Sequence, residues 1–165
     1  MAKREASGPV TLSVLDRLID NEPKNNSEVP LNRPQSLREL RAALKRDLEW
    51  LLNTRRTIEP APDSARETVR SVYHYGFADI SSKSVLSSKD HNDLIREMES
   101  AIAVFEPRLK RAKVRMEQME GSFRTVQFVI EGLLCMDPAP EPVRFDTVLE
   151  LGKGEYEVKG GDGAR

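Results

Sequence analysis

The chain has 165 residues, 38% of them hydrophobic and 32% charged, with a formal net charge of −1. That length suits one domain with a real core, and the balanced charge excludes a global field drawing the protein to nucleic acid or to an anionic bilayer. One cysteine, Cys135, excludes an internal disulfide and a cysteine metal cluster, and no run approaches the roughly 20 apolar residues that span a bilayer, so a cytoplasmic protein is expected.

In chain order, Thr11 to Ile19 places Leu12, Leu15, Leu18 and Ile19 at helical spacing. So short a helix is marginal alone, and it is expected to dock on its own domain or on a partner. Asn21 to Gln35 holds Pro23, Pro30 and Pro34 among several asparagines, which predicts an irregular connection. The main helix is predicted from Ser36, where Ser36 and Glu39 have capping-box spacing. Leu37, Leu40, Leu44, Leu48 and Leu51 line one face, with Ala43, Asp47 and Trp50 expected on the other.

Pro60 and Pro62 break that pattern. Ser64 and Glu67 repeat the capping spacing and predict a shorter helix ending near Tyr73. Gly76 suits a helix C-cap or a turn in the loop His74 to Ile80. A second long helix, Lys89 to Phe105, carries the stripe Leu94, Met98, Ile102 and Phe105, with Ile95 and Ala101 beside it, and Pro107 follows its end.

The period then changes. Ala112, Val114 and Met116 alternate with Arg111, Lys113, Arg115 and Glu117, which predicts a strand with one apolar and one charged face. Glu120-Gly121-Ser122 reads as a turn. Val126, Phe128 and Ile130 mark a second strand, in which Gly132 is expected at a bulge. Beyond the Pro-rich link Asp137 to Pro142, a third strand carries Val143, Phe145, Thr147, Leu149 and Leu151. Gly152-Lys153-Gly154 turns into a fourth with Tyr156 and Val158. The order predicts an α+β fold, N-terminal helices packed on a small, largely antiparallel sheet of about four strands. The organisation expected is a docking segment and linker over 1–35, a main domain over 36–159 and a disordered tail over 160–165. A small sheet keeps two edges, and an edge can recruit a strand from another chain.

Five segments in register carry a family resemblance. They are Leu15-Asp16-Arg17-Leu18, Leu48 to Arg55, Tyr75-Gly76-Phe77-Ala78-Asp79, Phe105-Glu106-Pro107-Arg108-Leu109 and Glu141 to Thr147. Over roughly Leu12 to Val158 the chain resembles the TssE family, baseplate wedge subunits of bacterial type VI secretion systems. That family belongs with the wedge proteins of contractile phage tails, labelled "lysozyme-like" in older usage. The resemblance implies a structural role: bundling with TssF and TssG, joined by TssK, and a sheet edge offered to the sheath subunits TssB and TssC. Its Glu-Pro-Arg signature falls on Glu106, Pro107 and Arg108.

The lysozyme-like label would make Glu106 a catalytic acid. Glycoside hydrolysis needs a carboxyl kept protonated and a second carboxylate across the scissile bond, and an arginine two residues away is the wrong company for the first. From the residues alone, Glu106 and Arg108 read best as a local ion pair at a helix end, where Arg108 also meets the negative end of the dipole. The resemblance turns the balance toward a docking site, with the guanidinium reaching a partner's oxygens.

Arg111, Lys113 and Arg115 form a basic stripe, with Lys110 beside it. A solvated sheet face is the first reading, an acidic protein partner the second; nucleic acid would want interleaved aromatics. For Trp50, burial beneath Leu12, Leu15 and Leu18 and exposure as an interface anchor stand level. His74 and His91 lack companions for a metal site, no phosphate loop or nucleophile elbow is present, and Cys135 reads as a small buried hydrophobe. No cofactor is expected. The competing functions are a muramidase and an anti-adaptor-like regulator that occludes another protein.

Overall fold

A computed structural model of the chain describes residues 10–19, 23–24, 31–59, 61–62, 64–78, 88–117 and 125–160, the side chains of 88 and 89 excepted. The elements run α1 (Val14–Leu18), α2 (Arg33–Asn53), two short 3₁₀ turns (Arg66–Arg70 and Val72–His74), α3 (Ser88–Phe105) and then β1 (Leu109–Glu117), β2 (Thr125–Leu134), β3 (Glu141–Glu150) and β4 (Glu155–Gly160). The fold is α+β as expected, and every strand pairs antiparallel with its successor in the order β1-β2-β3-β4. The turn expected at Glu120 to Ser122 and the tail beyond Gly160 lie outside the described residues.

Helix α2 is capped four residues earlier than the capping pattern predicts. Asn32 is the N-cap: its side chain accepts from the Gln35 N–H at 3.0 Å, and Gln35 Oε1 accepts from the Asn32 N–H at 3.0 Å. Pro34 falls in the first turn, where the missing N–H has no helical partner to lose. Ser36, expected as the cap, is buried instead, its hydroxyl accepting from the Val10 N–H at 2.8 Å and donating to the Arg33 carbonyl at 3.0 Å.

Leu40, Leu44, Leu48 and Leu51 are buried as the spacing predicts, but Ala43 is buried with them. Ala43, Asp47 and Trp50 share the side of α2 along which residues 10–16 run, held by Ser36 at one end and Arg46 at the other. That segment covers Ala43.

The core lies between the helices and one face of the sheet. Helix α3 packs over β1 and α2 over β4, and Met98, Ile102, Phe128, Ile130, Phe145 and Val158 are fully enclosed. Gly132 does not bulge. It pairs with Val143 in unbroken β2–β3 register, and the irregularity lies on the neighbouring strand, between Lys110 and Lys113, where Arg111 has φ 55°. A Cβ at Gly132 would come within 2.7 Å of Leu109 Cδ1 and 3.1 Å of the Lys110 carbonyl, so the glycine makes room for that irregularity. The helix expected between Ser64 and Tyr73 is two 3₁₀ turns; Val69 and Val72 stay exposed, so no apolar stripe holds a longer helix there. Cys135 is exposed, contrary to expectation: Leu134 faces the core, and the chain leaves the sheet one residue later.

Thr147 sits on the core face between Phe128 and Val158. It is fully buried, and its hydroxyl has no hydrogen-bond partner among the described residues. Thr147→Val is therefore expected to stabilise the protein by about 1 kcal/mol, read as a higher urea midpoint with unchanged slope. An unchanged or lower midpoint would mean that the hydroxyl is satisfied in solution.

Candidate functional site

The helix-to-strand junction after α3 ties three distant parts of the chain together. Glu106, only 5% exposed, follows the last turn of α3 and donates its N–H to the Ile102 carbonyl. Pro107 cannot continue the helix, and the reversal returns Arg108 toward Glu106. Arg108 Nε donates to Glu106 Oε1 at 2.6 Å and NH2 donates to Oε2 at 2.5 Å, a two-pronged pair. NH2 also donates to Asp47 Oδ2 of α2 at 2.5 Å.

From Asp47 the chain of charges continues. Asp47 Oδ1 accepts from Arg46 Nε at 2.9 Å, Arg46 NH1 donates to Asp16 Oδ1 at 2.8 Å, and the Ser13 hydroxyl donates to Asp16 Oδ2 at 2.5 Å. One network thus runs from the N-cap of α1 through the middle of α2 to the junction. Its three carboxylates against two guanidiniums leave one surplus negative charge. The Glu106 hydrogen bonds, above all, hold the Arg108 guanidinium protonated well beyond its ordinary range; burial opposes them and Asp47 adds to them. Burial pushes the Asp16 carboxyl upward, but hydrogen bonds from Ser13 and Arg46 prevail and keep it below the usual carboxylate value. Burial raises the Tyr75 hydroxyl, assisted by the charges of Asp47 and Glu106.

Above this network lies a groove of about 350 Å³, walled by Leu15, Trp50, Tyr75, Phe105 and Pro107. Trp50 is 54% exposed, so burial beneath α1 is excluded as its role. Its ring lies 5.1 Å from the Arg46 guanidinium carbon, a cation–π contact that orients it. Val14, Leu15 and Leu18 of α1 and its C-cap Ile19 are also exposed, and Leu15 among them lines the groove. Of the residues singled out in the sequence, the structure gathers Trp50, Glu106, Pro107 and Arg108 here.

Arg111, Lys113 and Arg115 lie elsewhere. Arg111 stands in the β1 irregularity, Lys113 Nζ is 3.5 Å from Glu99 Oε2, and Arg115 pairs with Glu131 across the outer sheet face. That face carries further charge pairs, including Arg144 with Asp146 and Lys159 with Glu157.

The sheet edges differ. On β1, the Glu99 carboxylate from α3 accepts the outward Val114 N–H at 3.0 Å, and the irregularity at Arg111 breaks the ladder nearby. On β4, Asn53 at the end of α2 accepts the Tyr156 N–H and donates to the Tyr156 carbonyl, both at 2.8 Å. Antiparallel pairing alternates, so Val158 also turns its N–H and C=O outward and Gly160 its N–H, while φ 85° takes the Gly160 carbonyl out of the alternation; among the described residues nothing bonds these outward groups.

Sequence reasoning found the Glu106-Pro107-Arg108 half of the network and missed Asp16, Arg46 and the edge residues Asn53 and Glu99. Among the described residues no group of three potential metal ligands occurs, and no helix is long and apolar enough to cross a membrane.

A family model described as "Baseplate wedge protein gp25" matches residues 38–139, more than half of the chain, from the first turns of α2 to just past β2. No curated protein and no solved structure matches the chain.

Proposed function

The chain belongs to the baseplate wedge protein gp25 family, a family of structural baseplate components, and from that membership we propose that it is the wedge subunit of a type VI secretion baseplate. In this reading it joins the wedge proteins TssF, TssG and TssK to the sheath subunits TssB and TssC through protein contacts, on the cytoplasmic side of the inner membrane, and transforms no molecule.

The family match carries this reading, and two features of the surface support it. The groove at Glu106, Pro107 and Arg108 combines an oriented, half-exposed tryptophan with a fixed guanidinium, the residue types that dominate interface energetics. Arg108 keeps the two N–H groups of NH1 free of the bonds described above, so it can still donate to a partner, and the surplus negative charge favours a segment bringing a basic residue. The open half of β4 suits strand addition from a sheath subunit, whereas β1 is blunted. Arg111, Lys113 and Arg115 are proposed as a secondary contact for an acidic surface.

Co-purification with TssF and TssG tests the reading. Trp50→Ala removes a side chain that is more than half exposed, so folding is expected to survive with a loss of about 1 kcal/mol or less. Recovery of the variant is expected to fall about tenfold or more if Trp50 anchors the interface. Equal recovery would remove Trp50 from the contact. Failure of the wild type to recover any baseplate or sheath subunit would reject the function. Release of muropeptides from peptidoglycan by purified protein, lost in Glu106→Gln, would replace it with hydrolysis.

A further inference from the structure

Each edge strand is approached by a side chain from the helix that lies over it, but the two approaches differ in kind. Glu99 only accepts, from the Val114 N–H. Asn53 both accepts and donates, and so presents to Tyr156 the same pair of groups that a neighbouring strand would present. Its position is fixed from behind. Thr54 closes α2 with its N–H and hydroxyl both on the Trp50 carbonyl, at 2.9 and 2.6 Å, and the next residues are tied to the Phe77 segment. Tyr156 itself is 3% exposed and its ring meets Phe77 edge-on at 5.8 Å, so the pairing partner is held as firmly as the amide.

We propose that Asn53 is the register stop for strand docking on β4. The inference rests on the reading that β4 accepts a strand. The side-chain amide fills the outward pairing position of Tyr156, and the next outward positions, Val158 and Gly160, are the ones left to an incoming strand. A strand slipped by two residues toward the β3–β4 turn would have to displace both Asn53 bonds, and slippage by one residue would turn its apolar side chains onto the charged outer face. Asn53 therefore acts on docking by position, and the alignment of the added strand is set before the partner arrives.

Backbone amide exchange in the full chain, alone and with the purified TssB–TssC complex, tests this. In the free wild type the Tyr156 amide is expected to exchange about five- to tenfold more slowly than those of Val158 and Gly160, the effect of one retained hydrogen bond. Adding the complex slows Val158 and Gly160 and leaves Tyr156 as it was. In Asn53→Ala the Tyr156 amide becomes fast in the free chain, and the complex now slows it too, because the added strand extends past the former stop. Asn53→Asp, which keeps the acceptor and loses the donor, serves as a milder variant: its Tyr156 amide stays slow in the free chain.

Protection of Val158 and Gly160 with Tyr156 still fast in Asn53→Ala would overturn the register stop and leave strand docking standing. A free wild type in which Tyr156 exchanges as fast as Val158 would also overturn it. No change at any β4 amide in either protein would overturn docking on this edge and the stop together.

Discussion

Arg108→Ala is expected to lower stability by about 3 kcal/mol, because it strips the nearly buried Glu106 carboxylate of both guanidinium donors and leaves it the 3.4 Å bond from the backbone N–H of residue 108. The value belongs at the lower end for a broken buried pair, since Arg108 keeps a solvent-facing side. Asp47 loses a donor in the same step and, among the described residues, keeps only Arg46. Urea denaturation reads the effect as a lower midpoint at constant slope. Arg108→Lys keeps the charge but cannot grip both Glu106 oxygens from two nitrogens, so it is expected to lose about half as much. If the stranded charge is the cause, Glu106→Gln introduced beside Arg108→Ala recovers part of the loss. Equal destabilisation with and without Glu106→Gln would assign the loss to packing instead. A binding assay on this motif needs that control, since an unfolded variant would imitate a lost interface.

Gly76→Ala is expected to cost as much or more, about 3–4 kcal/mol, through the backbone rather than through charge. Gly76 has φ 110°, which side chains rarely adopt. An added Cβ would collide with the Thr54 carbonyl oxygen and come within 3.0 Å of its carbon. That carbonyl cannot step aside, because it accepts the Phe77 N–H at 2.7 Å while the Phe77 carbonyl accepts from Arg56 at 2.9 Å. Relieving the collision pulls Phe77, 2% exposed, away from Tyr156. Thermal unfolding would show the loss, and a cost below about 1 kcal/mol would mean that residues 75–78 reposition freely.

The parts of the fold visible in the sequence are those set by local periodicity. Leu40, Leu44 and Leu48 recur at helical spacing, and Val143, Phe145, Thr147 and Leu149 alternate; each pattern faces the core as read. Where local rules compete, the reading slips. Two capping pairs stand in succession at the start of α2, Asn32 with Gln35 and Ser36 with Glu39, and only packing decides that Asn32 caps while Ser36 is buried. Gly132 advertises a close approach, but not that the neighbour is Leu109 on another strand.

The site divides in the same way. Glu106, Pro107 and Arg108 are adjacent and legible as a motif. Their counterpart Asp47 is 61 positions away, Arg46 reaches Asp16 across 30, and Asn53 reaches Tyr156 across 103. Nothing in the local pattern of any of these residues names its partner, because an ion pair or a side-chain clamp between distant segments leaves no periodic trace.

The unequal sheet edges bear on how many copies can join in one row. Fibrils propagate because every layer is at once template and guest, with two equivalent flanks. This sheet has one flank blunted by Glu99 and the twist at Arg111, and the other open over only part of its length. Such a molecule can begin a stack but makes a poor middle layer, so a crowded population of it is protected from running on indefinitely.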